Sequence, residues 1–75
     1  MMPVFVNEKP VHIAPSGTAL QAVAALDQDL ADRLAAGGAY ITDGRGIRLA
    51  PDEILSAGAI IRVIISARRE PDADT

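Results

Sequence analysis

Few side chains in this sequence could carry acid–base or nucleophilic chemistry. His12 is the one histidine among 75 residues, and there is no cysteine. General acid–base catalysis needs a partner positioned within hydrogen-bond reach, and no acidic cluster flanks His12 along the chain. The lack of cysteine excludes thiolate nucleophiles, iron–sulfur clusters and cysteine-based zinc sites. We interpret His12 as a surface strand residue and predict a chain that is not an enzyme and holds no cofactor.

Three aspartates in the middle of the chain have a spacing that could suggest a metal site. Asp27, Asp29 and Asp32 form a D-x-D-x-x-D pattern. The pattern lacks the glycine and the distal glutamate of a calcium-binding loop. Asp27 and Asp29 also stand near a predicted helix start, where the helix dipole favours carboxylates. The pattern therefore indicates a structural role, and no metal site is predicted.

The segment Gly44-Arg45-Gly46 invites comparison with a phosphate-binding loop. Such loops lead from a strand into a helix whose N-terminus holds the anion. This segment instead joins two predicted strands, and its glycines suit the positive φ angles of a tight turn. We interpret this segment as a tight turn without a phosphate-binding role.

Hydrophobic periodicity predicts a ββαβββ order. Thr18 and Gln21 have the T-x-x-Q spacing of a capping box, which begins a helix over residues 19–26. Asp27 either ends that helix or caps a second, short one closed by Gly37-Gly38. A turn is expected at 8–10, and the segment after Pro51 is expected to bring Ile54 or Leu55 into the core. The predicted strands span residues 4–7, 11–13, 39–42, 47–49 and 60–65, the last being the best candidate for a central strand.

Alternation along these strands predicts which side chains face the helix and which face outward. The predicted inward residues are Val4, Val6, Val11, Ile13, Ile61, Val63 and Ile65. A period of two then directs outward Phe5, His12, Arg62 and Ile64. Because arginine and aromatic residues are typical interface anchors, this outward set predicts a protein-binding patch. Pro10 lacks an N–H donor and is expected at the edge of the first hairpin.

Composition limits the size of the domain and the classes of partner. The chain is long enough for one domain, predicted over residues 1–66, followed by a flexible charged tail over 67–75. A net charge of -3 with 3% aromatic residues argues against a nucleic-acid partner. No apolar run reaches the roughly 18–20 residues that span a bilayer, so no membrane role is expected. The N-terminus has no signal pattern, and a cytoplasmic monomer or weak homodimer is expected.

Several motifs together resemble those of the small sulfur carriers of thiamine and molybdopterin synthesis. V-F-V-N-E-K-P-V-H-I at residues 4–13 is similar to the first hairpin of these proteins, and P-S-G-T-A-L-Q-A-V at 15–23 to the start of their helix. A-Y-I-T-D-G-R-G-I-R-L at 39–49 and I-L-S-A-G-A-I-I-R-V-I at 54–64 resemble their last strands. The resemblance covers residues 4–66 and implies the ubiquitin-like β-grasp fold, with a mixed sheet of four or five strands packed on one main helix.

Two departures from the family pattern bear on function. The family's Gly-Asp before the last strand is Gly58-Ala59 here, and its C-terminal diglycine is not found after Ser66. In the carriers the terminal glycine is adenylated and converted to a thiocarboxylate. Arg68 and Arg69 would place long charged side chains where glycine allows close approach to the activating enzyme. Sulfur carriage is therefore not the expected function.

The leading hypothesis is a non-catalytic protein-interaction module, or an accessory subunit of a larger enzyme. Its interaction residues would be Phe5, His12, Arg62 and Ile64 on the sheet, with Arg68 and Arg69 in the tail. One alternative is a sulfur carrier with an atypical terminus, whose partner would be an adenylating enzyme. Another is a ligand-binding regulatory domain like the TGS domains, which share the fold.

Overall fold

The computed structural model describes residues 1–66, which form a mixed five-stranded sheet and two helices. The elements are β1 (Met2–Val6), β2 (Lys9–Ile13), α1 (Ala19–Leu26), α2 (Gln28–Ala35), β3 (Ala39–Asp43), β4 (Arg48–Leu49) and β5 (Ile60–Ile65). The predicted α+β class is therefore confirmed. The predicted tail over 67–75, with Arg68 and Arg69, lies outside the described residues.

The last strand lies in the middle of the sheet, as its long apolar run predicts. The strand order is β2-β1-β5-β3-β4, in which β5 pairs parallel with β1 and antiparallel with β3. The two outer pairs, β1 with β2 and β3 with β4, are antiparallel. A strand with two neighbours and a packed face needs apolar residues at alternate positions, and Ile61 and Val63 supply them.

Both helices pack against one face of the sheet and enclose an aliphatic core. α1 contacts β1 and β2, whereas α2 contacts β3. The largest fully buried side chains belong to Val4, Val6, Val23, Ile41 and Ile61. Neither helix exceeds eight residues. No helix within residues 1–66 is long and apolar enough to cross a membrane.

The expectation of one main helix is wrong, because Asp27 separates two helices of equal length. The Asp27 N–H donates to the Val23 carbonyl at 2.9 Å and so completes α1. Its carboxylate accepts from the N–H groups of Asp29 at 3.0 Å and Leu30 at 3.4 Å, which caps α2. One extended residue therefore ends the first helix and begins the second. The structural role predicted for Asp27 is confirmed.

The predicted capping box at the start of α1 is also confirmed. The Thr18 N–H donates to Gln21 Oε1 at 2.8 Å, and the Gln21 N–H donates to Thr18 Oγ1 at 3.2 Å. The segment after Pro51 packs beside this end of α1, where the Ala19 N–H donates to the Glu53 carbonyl at 2.9 Å. Of the two candidates for the core, Leu55 is buried and Ile54 is 65% exposed.

The turn predicted over residues 8–10 is instead a two-residue turn at Asn7 and Glu8. Their φ angles are +51° and +70°. Two successive left-handed residues are typical of the type I′ turn, whose twist matches that of a hairpin. Asparagine tolerates this conformation well, so the turn begins at Asn7 and leaves Lys9 and Pro10 in β2.

The Asn7 side chain also continues the pairing of β1 with β5. The Asn7 N–H donates to the Ile61 carbonyl at 3.1 Å, after which the chain turns away into the hairpin. The next N–H on this side of β5, that of Val63, donates to Asn7 Oδ1 at 2.9 Å. The Asn7 side-chain oxygen thus replaces the backbone carbonyl that would accept this N–H if β1 continued alongside β5.

This contact gives a stability prediction. Asn7→Gly keeps a residue that accepts a positive φ angle but leaves the Val63 N–H without its acceptor. We expect the free energy of unfolding to fall by about 1–2 kcal/mol, because a partly buried donor loses its partner. Chemical denaturation measures this change. Asn7→Asp retains the acceptor and serves as the matched control, which should lose less; equal losses for both variants would show that the contact contributes nothing.

Candidate functional site: the uncovered face of the sheet

The face of the sheet opposite the helices, here called the outer face, is open to solvent among the described residues. Strand register determines which side chains it carries, because paired residues point to the same side. On and beside β1, the outward side chains are those of Phe5 and its partners Ile60 and Pro10. Across β3 and β5, the outward side chains belong to the pairs Tyr40–Ile64 and Thr42–Arg62. Arg48 of β4, paired with Thr42, lies on the far side of the same face.

Three large apolar side chains are exposed on this face. Phe5 and Ile60 are direct partners in the parallel pairing of β1 and β5 and are 37% and 53% exposed. Ile64 follows on the same side of β5 and is 37% exposed. Arg62 lies between the two isoleucines along the strand. We call Phe5, Ile60, Arg62 and Ile64 the outer-face patch, since apolar anchors around an arginine are the composition of a binding surface.

Among residues 1–66, the arginine of this patch pairs weakly with one exposed carboxylate. Arg62 Nη2 lies 3.7 Å from Glu8 Oε2, and both side chains are largely exposed. Ion pairs of this kind contribute about 0–1 kcal/mol, because water already solvates both charges. A carboxylate on another molecule can therefore replace Glu8 at little cost.

A stacked pair borders the patch on the side of β4. The Arg48 guanidinium lies 4.5 Å from the centre of the Tyr40 ring, within cation–π range. Tyr40 is in turn the cross-strand partner of Ile64. Between the two arginines of this face, Thr42 is only 4% exposed although it points outward. Its cross-strand partners are Arg48 and Arg62, whose long stems flank it.

A tight turn after β3 supports the end of the patch at Ile60. A Cβ atom on Gly44 would lie 3.3 Å from Ile60 Cγ2, so this turn packs directly against that side chain. Asp43 holds the turn by accepting the N–H groups of Ile47 at 2.9 Å and Arg45 at 2.8 Å. The hydrogen bond from Ile47, then that from Arg45 and the Arg45 charge, lower the pKa of Asp43, while desolvation opposes them. The carboxylate is therefore ionised at neutral pH, and Gly44-Arg45-Gly46 is a strand-to-strand turn as predicted.

The free edge of β2 is blunted against strand addition. The Phe5 N–H donates to the Ala59 carbonyl on the side of β5, so its partner Pro10 is not hydrogen-bonded to it across the hairpin. The Pro10 nitrogen therefore faces the open edge, where it offers no donor. The predicted edge position of Pro10 is confirmed. Because this edge lacks a donor at Pro10, it is poorly suited to pairing with an added strand.

The structure places most of the predicted interaction residues as expected. Phe5, His12, Arg62 and Ile64 are all exposed on the outer face, and their role in binding stays a prediction. His12 lies on β2 opposite Pro3, at the margin of the patch. Arg68 and Arg69 lie outside the described residues.

One residue predicted to face the helices does so but is not buried, and one patch residue was missed. Ile65 is 46% exposed, because the end of β5 runs past the core and leaves a gap toward Leu30 and Arg33 of α2. Ile60 belongs to the patch but was not singled out from the sequence. Period-two alternation from Arg62 and Ile64 already puts it on their side, and that signal was sufficient to find it.

The described residues show no grouping suited to metal binding. Among residues 1–66, no three His, Asp or Glu side chains come together as a possible metal site. Asp27 is engaged in capping α2, and Asp32 Oδ1 accepts from Gln28 Nε2 at 3.0 Å on the same helix. The side chains of the outer face are instead suited to apolar and ionic contact with another macromolecule.

Comparisons of the chain with protein-family models, with curated proteins and with solved structures found no match.

Proposed function

We propose that this chain is a β-grasp domain that binds a protein partner through the outer face of its sheet, as an accessory module of a larger enzyme in the cytoplasm. The topology supports the β-grasp assignment. The first hairpin, the helices crossing one face and the last strand returning parallel to β1 are the features of that fold. Within residues 1–66 both helices lie on the other side of the sheet, which leaves the outer face open for binding.

The observation that carries the proposal is the exposure of three large apolar side chains on one face, with an arginine between two of them. Phe5, Ile60 and Ile64 come from two neighbouring strands and are held by backbone pairing. Rigid strands present such side chains at little entropic cost, which favours binding. Hot spots of protein interfaces combine aromatic or aliphatic anchors with arginine in the same way.

The charges of the face indicate the chemistry of the partner. Arg48 and Arg62 both belong to the outer face, whereas Asp27, Asp29 and Asp32 belong to α2 or its cap on the opposite side. A partner with an apolar surface and a carboxylate beside it would contact the patch and replace Glu8 at Arg62. Electrostatic matching of this kind orients a complex and accelerates its formation.

The test is capture of the partner by patch variants. The double variant Phe5→Ala with Ile64→Ala should weaken capture of the wild-type partner at least about tenfold, because two anchors are truncated. Tagged proteins expressed in the native cells are isolated, and bound chains are compared by quantitative mass spectrometry. Ile54→Ala is the matched control, since Ile54 is 65% exposed but lies outside the sheet.

A second variant separates a binding defect from a folding defect. Arg62→Glu leaves the apolar anchors in place and reverses the charge that meets the partner. It should reduce capture while keeping the circular dichroism spectrum and melting temperature of the wild type. Undiminished capture of the same partner by both variants would exclude the outer face. Sedimentation showing that the patch is covered by a second copy of the chain would also contradict an accessory role.

A further inference from the structure

A groove of about 390 Å³ lies where β3 extends beyond the short strand β4. Leu34, Ile41 and Leu49 contribute apolar side chains to its lining, which also includes Tyr40 and Arg48. This volume is near the lower end for small-ligand pockets, so the groove accommodates one or two side chains. It is separate from the outer-face patch, whose four residues do not line it.

The backbone of β3 determines what this groove offers. The Asp43 N–H donates to the Ile47 carbonyl, which shows that this residue directs its peptide groups toward β4. The Gly38 carbonyl accepts from the Ser66 N–H, on the side of β5. Since successive residues of a strand direct these groups to opposite sides, Ala39 directs its N–H and C=O toward β4 and the groove.

Within the part of the chain that the structure describes, no strand pairs with Ala39 on that side. β4 ends at Leu49, which is the partner of Ile41, and the residue two further along is Pro51. Pro51 has no N–H, and its carbonyl accepts the Leu20 N–H at 2.9 Å. Within residues 1–66, no hydrogen bond to the Ala39 N–H or carbonyl from this side is found. A donor and an acceptor thus lack a backbone partner within residues 1–66, and because Ala39 is only 7% exposed, the groove that it lines is their route to another chain.

A charged lining residue specifies the occupant further. Among the described residues that line the groove, Arg48 is the charged one and none is acidic. The ion pairs of the described residues join Arg45 to Asp43 and Arg62 to Glu8, so Arg48 is in neither. Its guanidinium is held over the Tyr40 ring and keeps its donors for an anion.

We propose that this groove binds an extended, acidic peptide segment of a partner protein. One residue of the segment pairs with the Ala39 N–H and carbonyl as an added strand. A neighbouring aliphatic side chain enters the groove over Leu34 and Leu49, and a carboxylate meets Arg48. Strand addition of this kind takes its affinity from main-chain hydrogen bonds and its specificity from the pockets beside them. The inference does not rest on the proposed function of the outer face.

The test uses a labelled, end-blocked pentapeptide of sequence Glu-Val-Leu-Val-Asp and the full chain. Titration followed by nuclear magnetic resonance should shift the Ala39 amide signal and slow its hydrogen exchange. The same peptide with lysine at both ends should bind about tenfold more weakly. Arg48→Glu should reverse that preference. The Phe5→Ala with Ile64→Ala variant should bind the peptide like the wild type, which separates this groove from the outer face.

Three results would overturn the proposal. Absence of any shift at Ala39 with the acidic peptide means that the groove does not accept this chemistry. Slow exchange of the Ala39 amide in the protein alone, at every concentration, means that the chain itself fills the groove. Protection that grows with protein concentration means that a second copy occupies it.

Discussion

Replacing Ile61 with alanine is expected to lower the free energy of unfolding by about 2–5 kcal/mol. Ile61 is 1% exposed and lies in the central strand, paired with both β1 and β3. Its removal leaves a cavity between the sheet and the helices that a small core cannot readily close. The free energy of unfolding of natural domains is about 0.05–0.15 kcal/mol per residue, so this one change can remove much of the stability of the domain. Urea denaturation followed by circular dichroism measures the loss.

The neighbouring isoleucine is the matched control. Ile60→Ala removes the same atoms from the adjacent position, but Ile60 is 53% exposed and faces outward. We expect a loss below about 1 kcal/mol, the scale of a single cross-strand pair. Where Ile61→Ala fails to fold, Ile61→Val should still cost about 0.5–1.5 kcal/mol. Similar losses at the two positions would contradict the register on which the outer face depends.

Gly17→Ala is expected to cost about 1–3 kcal/mol, as overpacking of a core does. A Cβ atom on Gly17 would lie 2.8 Å from the Ala14 carbonyl oxygen and 2.8 Å from Ile13 Cδ1. The oxygen cannot retreat freely, because it accepts the Gly17 N–H at 2.9 Å. The Gly17 carbonyl also accepts the Leu55 N–H at 2.9 Å, so any shift disturbs the loop beside α1.

A double-mutant cycle identifies the source of this cost. Ile13→Val removes the Cδ1 atom and should recover part of the loss caused by Gly17→Ala, so the two changes should not be additive. The Ala14 oxygen remains, and recovery should therefore be incomplete. Thermal unfolding of the four proteins provides the comparison. A stabilising effect of Gly17→Ala, as expected for a glycine with free space around it, would show that the contact is absent.

Local patterns predicted most of the elements and much of the outer face. The alternation of Phe5, Arg62 and Ile64 with buried valines predicted their outward orientation, because side chains alternate strictly along a strand. The capping box and the glycine-rich turn were equally readable, since each depends on residues a few positions apart. The sequence left open whether Asp27 ends the first helix or caps a second one. In the structure this one extended residue does both.

Features that depend on distant parts of the chain were not accessible in this way. The contact of Asn7 with Val63 joins residues 56 positions apart and requires the parallel pairing of β1 with β5. The same pairing places Ile60 beside Phe5. The exposure of Ile65 was not predicted, because alternation gives the side of a strand but not the extent of the helix that covers it. The open edge at Ala39 likewise follows from where β4 ends.

Site-specific photo-crosslinking shows most directly whether a protein partner binds the outer face of the sheet. A benzophenone amino acid is placed at Ile60 in the patch or at Ile54 outside the sheet, and the native cells are irradiated. We expect a crosslink from Ile60 to one partner, lost when Arg62→Glu is added, and no such product from Ile54. Equal crosslinking from both positions, or none from Ile60, would contradict the account.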